Sequence, residues 1–386
     1  MMVTGIVLSC NAQLPQMSSE VPVAAKEKSV EMRLRRWVKH GKIDADVIYM
    51  PFARQILASL VNAPLVLVMD GSQAERGCMV LMVGLLYKKR ALPIAWVAYK
   101  GKKGHTSAQR HIQALEKVLP LLLAGSKVVL LGDAEYDTTE MLVWMKANTD
   151  WQYVLRTSPQ INVQEGANSQ PISTYPLAKG QLFHRHQVGF TQNATVLLNL
   201  IGWWGSRYEE PIFLIANLSN VYQACLFYRR RFQIETFFFD QKSRGFHIHK
   251  SHLSDPVRLG RLLVAACLAY IWMICKGLWV ITSNHSSLID RTNRMDKSLF
   301  RLGLDWIKYA LKRNLHFEPI FLVSTPRRIR DCTVEKKLIK QPARSEFHNK
   351  ALSSFWSVIF SSSQLFFTLP PSPIPAIHPA RRSPGR

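Results

Sequence analysis

Four side chains suited to phosphate chemistry recur at offsets 0, 3, 7 and 14: Tyr228, Arg231, Glu235 and Lys242. At about 100° per helical residue, all four fall within an arc of roughly 60° on one helix face. A carboxylate flanked by cations and a phenol suits a phosphate-bearing substrate held against a divalent metal. Two further acids stand out by position. Asp70 closes the apolar run Leu65-Val66-Leu67-Val68-Met69, and Asp133 closes Val128-Val129-Leu130-Leu131-Gly132. Hard divalent cations take oxygen ligands, and Mg²⁺ uses one or two carboxylates plus substrate phosphates. Taken singly, a strand-terminal Asp is more often a helix cap, and Glu235 is a surface partner for Arg231 four residues earlier. Three such acids beside the Tyr/Arg/Lys face argue instead for phosphoryl transfer on nucleic acid. Glu135 and Asp137 adjoin Asp133, which is preferred because it follows its strand directly. Asp240 lies about 140° around the helix from Glu235 and is expected to point elsewhere.

The elements that position these residues come from a 386-residue chain with 47% hydrophobic residues and a formal net charge of +24. That length supports two or three modest domains. A folded protein this basic meets a polyanion, with nucleic acid foremost. None of the six cysteines forms a CxxC pair, which reads as a reduced, cytoplasmic protein. The N-terminal apolar run, residues 3–8, follows no Lys or Arg and is too short for an export signal. The apolar run 262–275 falls short of the about 20 residues a membrane span needs, so it reads as a buried core helix, and no membrane partner is expected.

Residues 1–30 carry no clear pattern and read as poorly ordered. Two helices are expected within 31–62. The first bears Arg33, Arg35, Arg36, Lys39 and Lys42, and is either a DNA-phosphate surface or a solvated basic helix. From 63 the order is strand, strand, strand, helix, strand, helix, with apolar runs at 79–87 and 92–99 joined by Lys88-Lys89-Arg90 as a hairpin. A meander running into alternating α/β matches the start of a ribonuclease-H-like fold, in which the first and fourth strands are neighbours and Asp70 meets Asp133. The reading is therefore α/β: a ribonuclease-H-like catalytic core with a β-rich insertion and flanking helices. Its divisions are an N-terminal helical segment that is a candidate DNA contact (1–62), the first part of the core (63–150), the insertion (151–219), the rest of the core with C-terminal helices at 257–276 and 297–313 (220–315), and a poorly ordered, basic, Pro-rich tail (316–386).

The run Tyr228, Arg231, Glu235, Lys242 resembles the Y-x2-R-x3-E-x6-K signature of a group of bacterial insertion-sequence transposases of the DDE class. Asp70 within Val68-Met69-Asp70-Gly71-Ser72 and Asp133 within Leu131-Gly132-Asp133-Ala134-Glu135 are similar to the first and second acids of that group. The likeness extends over about residues 30–315. It implies that Asp70, Asp133 and Glu235 bind two Mg²⁺ (or Mn²⁺) ions for cleavage at transposon ends and strand transfer into target DNA. It implies phosphate contacts from Tyr228, Arg231 and Lys242, a basic position near the site at Arg156, double-stranded DNA (transposon ends and target) as partner, and a homodimer in the synaptic complex. In some relatives an aromatic of the insertion stacks on a flipped base. Trp203 and Trp204 occupy the matching region, where they are either that platform or core aromatics. Lys102, Lys103 and His105 form a Gly-flanked basic loop, read as a DNA contact or as a solvated loop.

The chain departs from the group at both ends. The segment ahead of Asp70 is shorter than the N-terminal DNA-binding domain of many relatives, and the sequence past about 324 reads as a frame change rather than a family C-terminus. Three readings from different classes follow: an active transposase, a catalytically inactive DNA-binding transposase remnant, and a nuclease without strand transfer.

Overall fold

The computed structural model describes residues 1–315 apart from 61–63, 75, 192–195, 207 and 292–295. The tail expected at 316–386 lies outside the described residues. Three apolar runs fold first into an antiparallel meander, β1 (Leu65–Gln73), β2 (Cys78–Tyr87) and β3 (Arg90–Lys100). The β2–β3 turn places Lys88 and Lys89 at φ of 42° and 66°, the left-handed pair of a tight two-residue hairpin. Helix α5 (Ala108–Glu116) then leads to β4 (Val128–Gly132), and α6 (Thr139–Asn148) leads to β5 (Gln152–Thr157). Both strands lie parallel to β1. Every residue of β4 is buried, as expected where helices cover both faces of a parallel sheet.

The β-rich stretch does not fold away from these strands. β6 (Asn162–Glu165), β7 (Asn168–Pro171), β8 (Leu182–Phe190), β9 (Val196–Trp203) and β10 (Ile212–Ala216) extend one sheet in the order β3-β2-β1-β4-β5-β10-β9-β8-β6-β7. The first strand of that stretch, β5, pairs with β4 on one side and β10 on the other. The β6–β7 hairpin is absent from the expected elements because its residues are polar and carry no alternation.

Side chains alternate along β1, so Gly71 and Asp70 face opposite ways. Tyr136 packs beneath Gly71 and edge-on to His111 of α5. On the Asp70 face, Ser72, Val80 and Met82 meet Phe237 and Phe238 of α8 (Gln233–Gln241), which follows α7 (Val221–Tyr228). The sheet is thus sandwiched, with α8 on the face that carries Asp70.

Residues 1–30 are not poorly ordered. They form α1 (Met2–Ser9) and α2 (Leu14–Glu20), with Ile6, Val7 and Met17 buried. Helices this short show no periodicity of their own, and α1 packs on α9 (Pro256–Thr282), which comes far later in the chain. α3 (Glu27–Lys39) and α4 (Ala45–Ala58) follow, the latter capped by Asp44, and both also pack on α9. Asp255 caps α9 by accepting from the Arg258 amide at 2.8 Å, with Pro256 in the first turn. Among the described residues this is the one helix long and apolar enough to cross a membrane, and 78% of its apolar window is buried within the protein. It runs past the expected end at 276 because α10 (Leu299–Lys312) covers its last turns.

Candidate active site

Asp70 is not at the end of its strand, as the apolar run suggests. β1 continues through Gly71, Ser72 and Gln73 along β2. Its pairing with β4 stops at Val68 and Leu131, so Asp70 projects from the notch where β4 has ended. Asp133 follows β4 directly and caps a short 3₁₀ turn, Ala134–Tyr136, by accepting from the Ala134 amide at 3.0 Å. The two acids stand at neighbouring strand positions, as the expected topology requires.

The helix expected through Tyr228–Lys242 is two helices. α7 stops at Tyr228 and α8 starts at Gln233. Between them the amides of Arg230, Arg231, Gln233, Ile234 and Glu235 each bond the carbonyl three residues back. That tightening toward three residues per turn rotates the faces relative to a regular helix. Lys242 lies just past the end of α8.

Arg231, in that tight segment, joins the three acids. Its Nη1 is 3.8 Å from Asp70 Oδ2 and 3.7 Å from Asp133 Oδ2, and its Nη2 is 2.9 Å from Glu235 Oε1. Its side chain is 13% exposed, against 16% for Asp70, 36% for Asp133 and 47% for Glu235. Burial pushes the Asp70 carboxyl up to about 6, although Arg231 and the Gly71 amide, which donates to Oδ1 at 2.8 Å, favour its ionised form and Asp133 opposes it. Burial works against the Arg231 charge, yet Asp133, Tyr228, Asp70 and Glu235 together hold its pKa above the usual value. Tyr228 is buried, its ring 5.9 Å from the guanidinium, and burial followed by Asp133 raises its hydroxyl to about 12. Arg156 on β5 reaches Asp133 Oδ1 at 3.8 Å. The Lys242 ammonium is pushed down by burial and by Lys103, while Asp70 pulls it up, so both lysines sit within the field of the site.

Trp203 and Trp204 are not brought to the acids. Register carries Arg156 to Leu214 and Ile201, so both tryptophans share this sheet edge but stand two strands beyond β5, roughly 10 Å away. Trp203 is buried, edge-on to Tyr208 at 5.2 Å, and half-buried Trp204 donates from Nε1 to the Tyr208 carbonyl at 3.1 Å. Asp240 turns away from the site, as expected, into a buried pair with Arg90 at 3.0 Å. Sequence reasoning missed Arg90, because the two residues lie far apart in the chain and nothing in either neighbourhood marks them. It also missed Tyr136, the buried floor beneath Gly71.

Among the described residues, no three His, Cys, Asp or Glu side chains form a ready-made metal cluster, and the Arg231 guanidinium lies among the three acids instead. The donor set fits a hard divalent cation. It is all carboxylate oxygen, it is partly desolvated, and it has drawn in a positive charge.

The sequence from 43 to 272, more than half of the chain and inclusive of all three acids, matches a family described as the transposase DDE domain. No curated protein matches it. Among solved structures the chain is similar to a piggyBac transposase synaptic complex with hairpin DNA, at 12% identity over 81% of this chain and 79% of that one, with a TM-score of 0.39. It is also similar to Aa-Ago with externally bound siRNA, at 12% identity over 46% of this chain and 26% of that one, with a TM-score of 0.24. Likenesses this distant say nothing about what this chain binds.

Proposed function

The chain belongs to the transposase DDE domain family, and from that premise we propose that it is a metal-dependent transposase that cleaves double-stranded DNA at transposon ends and joins those ends to target DNA. The observation that carries this reading is the convergence of Asp70, Asp133 and Glu235 on one guanidinium from three separate elements. The strand order β3-β2-β1-β4-β5, with β1, β4 and β5 parallel, supports a ribonuclease-H-like core. The Y-x2-R-x3-E-x6-K spacing supports a place in the bacterial insertion-sequence group.

In this reading Asp70, Asp133 and Glu235 would hold two Mg²⁺ or Mn²⁺ ions. Such ions supply the charge that activates an attacking oxygen and stabilises the leaving one. The chain's own groups do the rest. Arg231, released from the acids, grips a phosphate with its planar fork, and Lys242 adds a point charge beside it. The Tyr228 hydroxyl, kept protonated by burial, donates a hydrogen bond to the same backbone. Arg156 neutralises phosphate on the β5 side. Two copies acting on two ends would form the synaptic homodimer, in the cytoplasm where the DNA is.

The test is purified protein with Mg²⁺ and DNA bearing the element's terminal repeats. Cleavage with joining is the expected result. Binding without cleavage would point to an inactive remnant, and cleavage without joining to a nuclease.

A further inference from the structure

Beside the acids, the chain between β3 and α5 forms a short cationic loop that the phosphate-gripping residues above leave out. Lys102, Lys103 and His105 are exposed on it. Both ends of the loop are fixed. At its start the Gly101 amide bonds the Gly77 carbonyl at 3.1 Å, and Lys100 Nζ reaches the Arg76 carbonyl at 2.8 Å. A Cβ on Gly101 would lie 2.9 Å from the Tyr99 ring, so a larger residue there would have to displace that ring. Gly104 has φ of +80°, which glycine adopts freely. At its end the Thr106 hydroxyl shares a 2.5 Å hydrogen bond with the Tyr99 hydroxyl, and the Thr106 amide donates to Glu135 Oε1 at 3.1 Å.

Glu135 is two residues past Asp133. The loop is therefore tethered to the same 3₁₀ turn that Asp133 caps, and to the β2–β3 edge that runs beside Asp70. From this position the Lys103 charge lies within the field of both Asp70 and Lys242. Lys103 and Lys242 are two like charges held near each other in the folded protein, and among the described residues Lys103 has no ion-pair partner. Asp70 is a carboxylate whose field both lysines share, and the positive charge left over from that pairing favours an added anion.

We propose that the loop 101–106 is a DNA clamp, with Lys103 and Lys242 straddling one backbone phosphate next to the acids and Glu135 acting as the positioning residue that holds the loop there. This rests on the transposase reading and extends it to a contact on the β3 side of the site, opposite Arg156. It also gives Glu135 a role that runs against its charge, since an acid at a DNA-facing edge repels the backbone unless its oxygen is used to hold something else.

The experiment is anisotropy of a fluorescein-labelled duplex of mixed sequence, titrated with the full chain across a range of NaCl concentrations. Lys103→Gln should weaken binding and reduce the slope of log K against log salt by about 0.9, the value for one lost phosphate contact. Lys146→Gln, which removes an exposed charge from the last turn of α6, away from the loop, should change the slope far less. Glu135→Ala removes a negative charge, so electrostatics alone predicts tighter binding, whereas the clamp predicts weaker binding. Glu135→Gln keeps an oxygen for the Thr106 amide and should bind at least as well as the parent. An unchanged slope in Lys103→Gln, or tighter binding by Glu135→Ala, overturns the clamp while leaving the transposase reading intact. A parent protein that binds no DNA overturns both.

Discussion

Replacing Arg231 with Ala removes the single cation shared by three acids, and the structure sets how much that costs. Asp70 is the most buried of the three and loses the most. At pH 7 its loss has a ceiling, because the carboxyl already titrates at about 6 with Arg231 in place. Taking up a proton one pH unit above that value costs about 1.4 kcal/mol, so Asp70 escapes by protonation rather than remaining a stranded charge. Asp133 and Glu235 are 36% and 47% exposed. Water replaces much of the guanidinium there, and each contributes on the order of 0.5 kcal/mol. The expected loss for the metal-free protein is about 2–3 kcal/mol at pH 7, well below the roughly 3–5 kcal/mol typical of a broken, fully buried pair. Thermal melts of parent and variant in chelator at pH 5 and pH 7 measure it. The loss should shrink at pH 5, where Asp70 is largely protonated in both proteins. Adding Mg²⁺ at pH 7 should stabilise the variant more than the parent, since the metal meets no competing guanidinium. A loss that is equal at both pH values, or a smaller Mg²⁺ effect in the variant, would refute the shared-cation account.

Two further outcomes follow from the same chemistry. Asp70, Asp137 and Asp240 are all raised to about 6, by burial first; at Asp240 burial outweighs the Arg90 pair. Below about pH 4 these groups are protonated in folded and unfolded chains alike, so metal-free stability should fall as pH rises from about 4 to 6 and then level, as denaturant midpoints across that range will show; a rise over the same window would contradict the burial of these acids. Trp203→Ala should cost about 3 kcal/mol or more by emptying a buried site, with Trp204→Ala nearly neutral; an unchanged urea midpoint for Trp203→Ala combined with lost DNA binding would restore a base-stacking role to that residue.

The chemistry of this chain was more legible in its sequence than the shape that delivers it. Asp70 and Asp133 announce themselves because buried parallel strands are continuous apolar runs, and an acid ending such a run is conspicuous. The Tyr228–Lys242 spacing announces itself because residue types recur at fixed offsets. The break between α7 and α8 leaves no mark, since no proline or glycine interrupts Arg229-Arg230-Arg231-Phe232, and the tightening coincides with the segment whose arginine is held by three acids. The order of residues 1–30 was equally hidden: the faces of α1 and α2 are too short to show a period, and that of α1 is completed only by α9. The Arg90–Asp240 pair and the Thr106–Glu135 tether are long-range contacts between single polar residues, which no local pattern records.

Mg²⁺-dependent nicking of an end-labelled transposon terminus by the parent and by Glu235→Gln decides whether Asp70, Asp133 and Glu235 form one metal-dependent centre for DNA cleavage. Glu235 is the most exposed of the three, so its amide isostere should leave the fold intact and DNA binding within a few-fold of the parent. Nicking should be abolished in that variant while binding persists. Nicking by Glu235→Gln near the parent rate would contradict it.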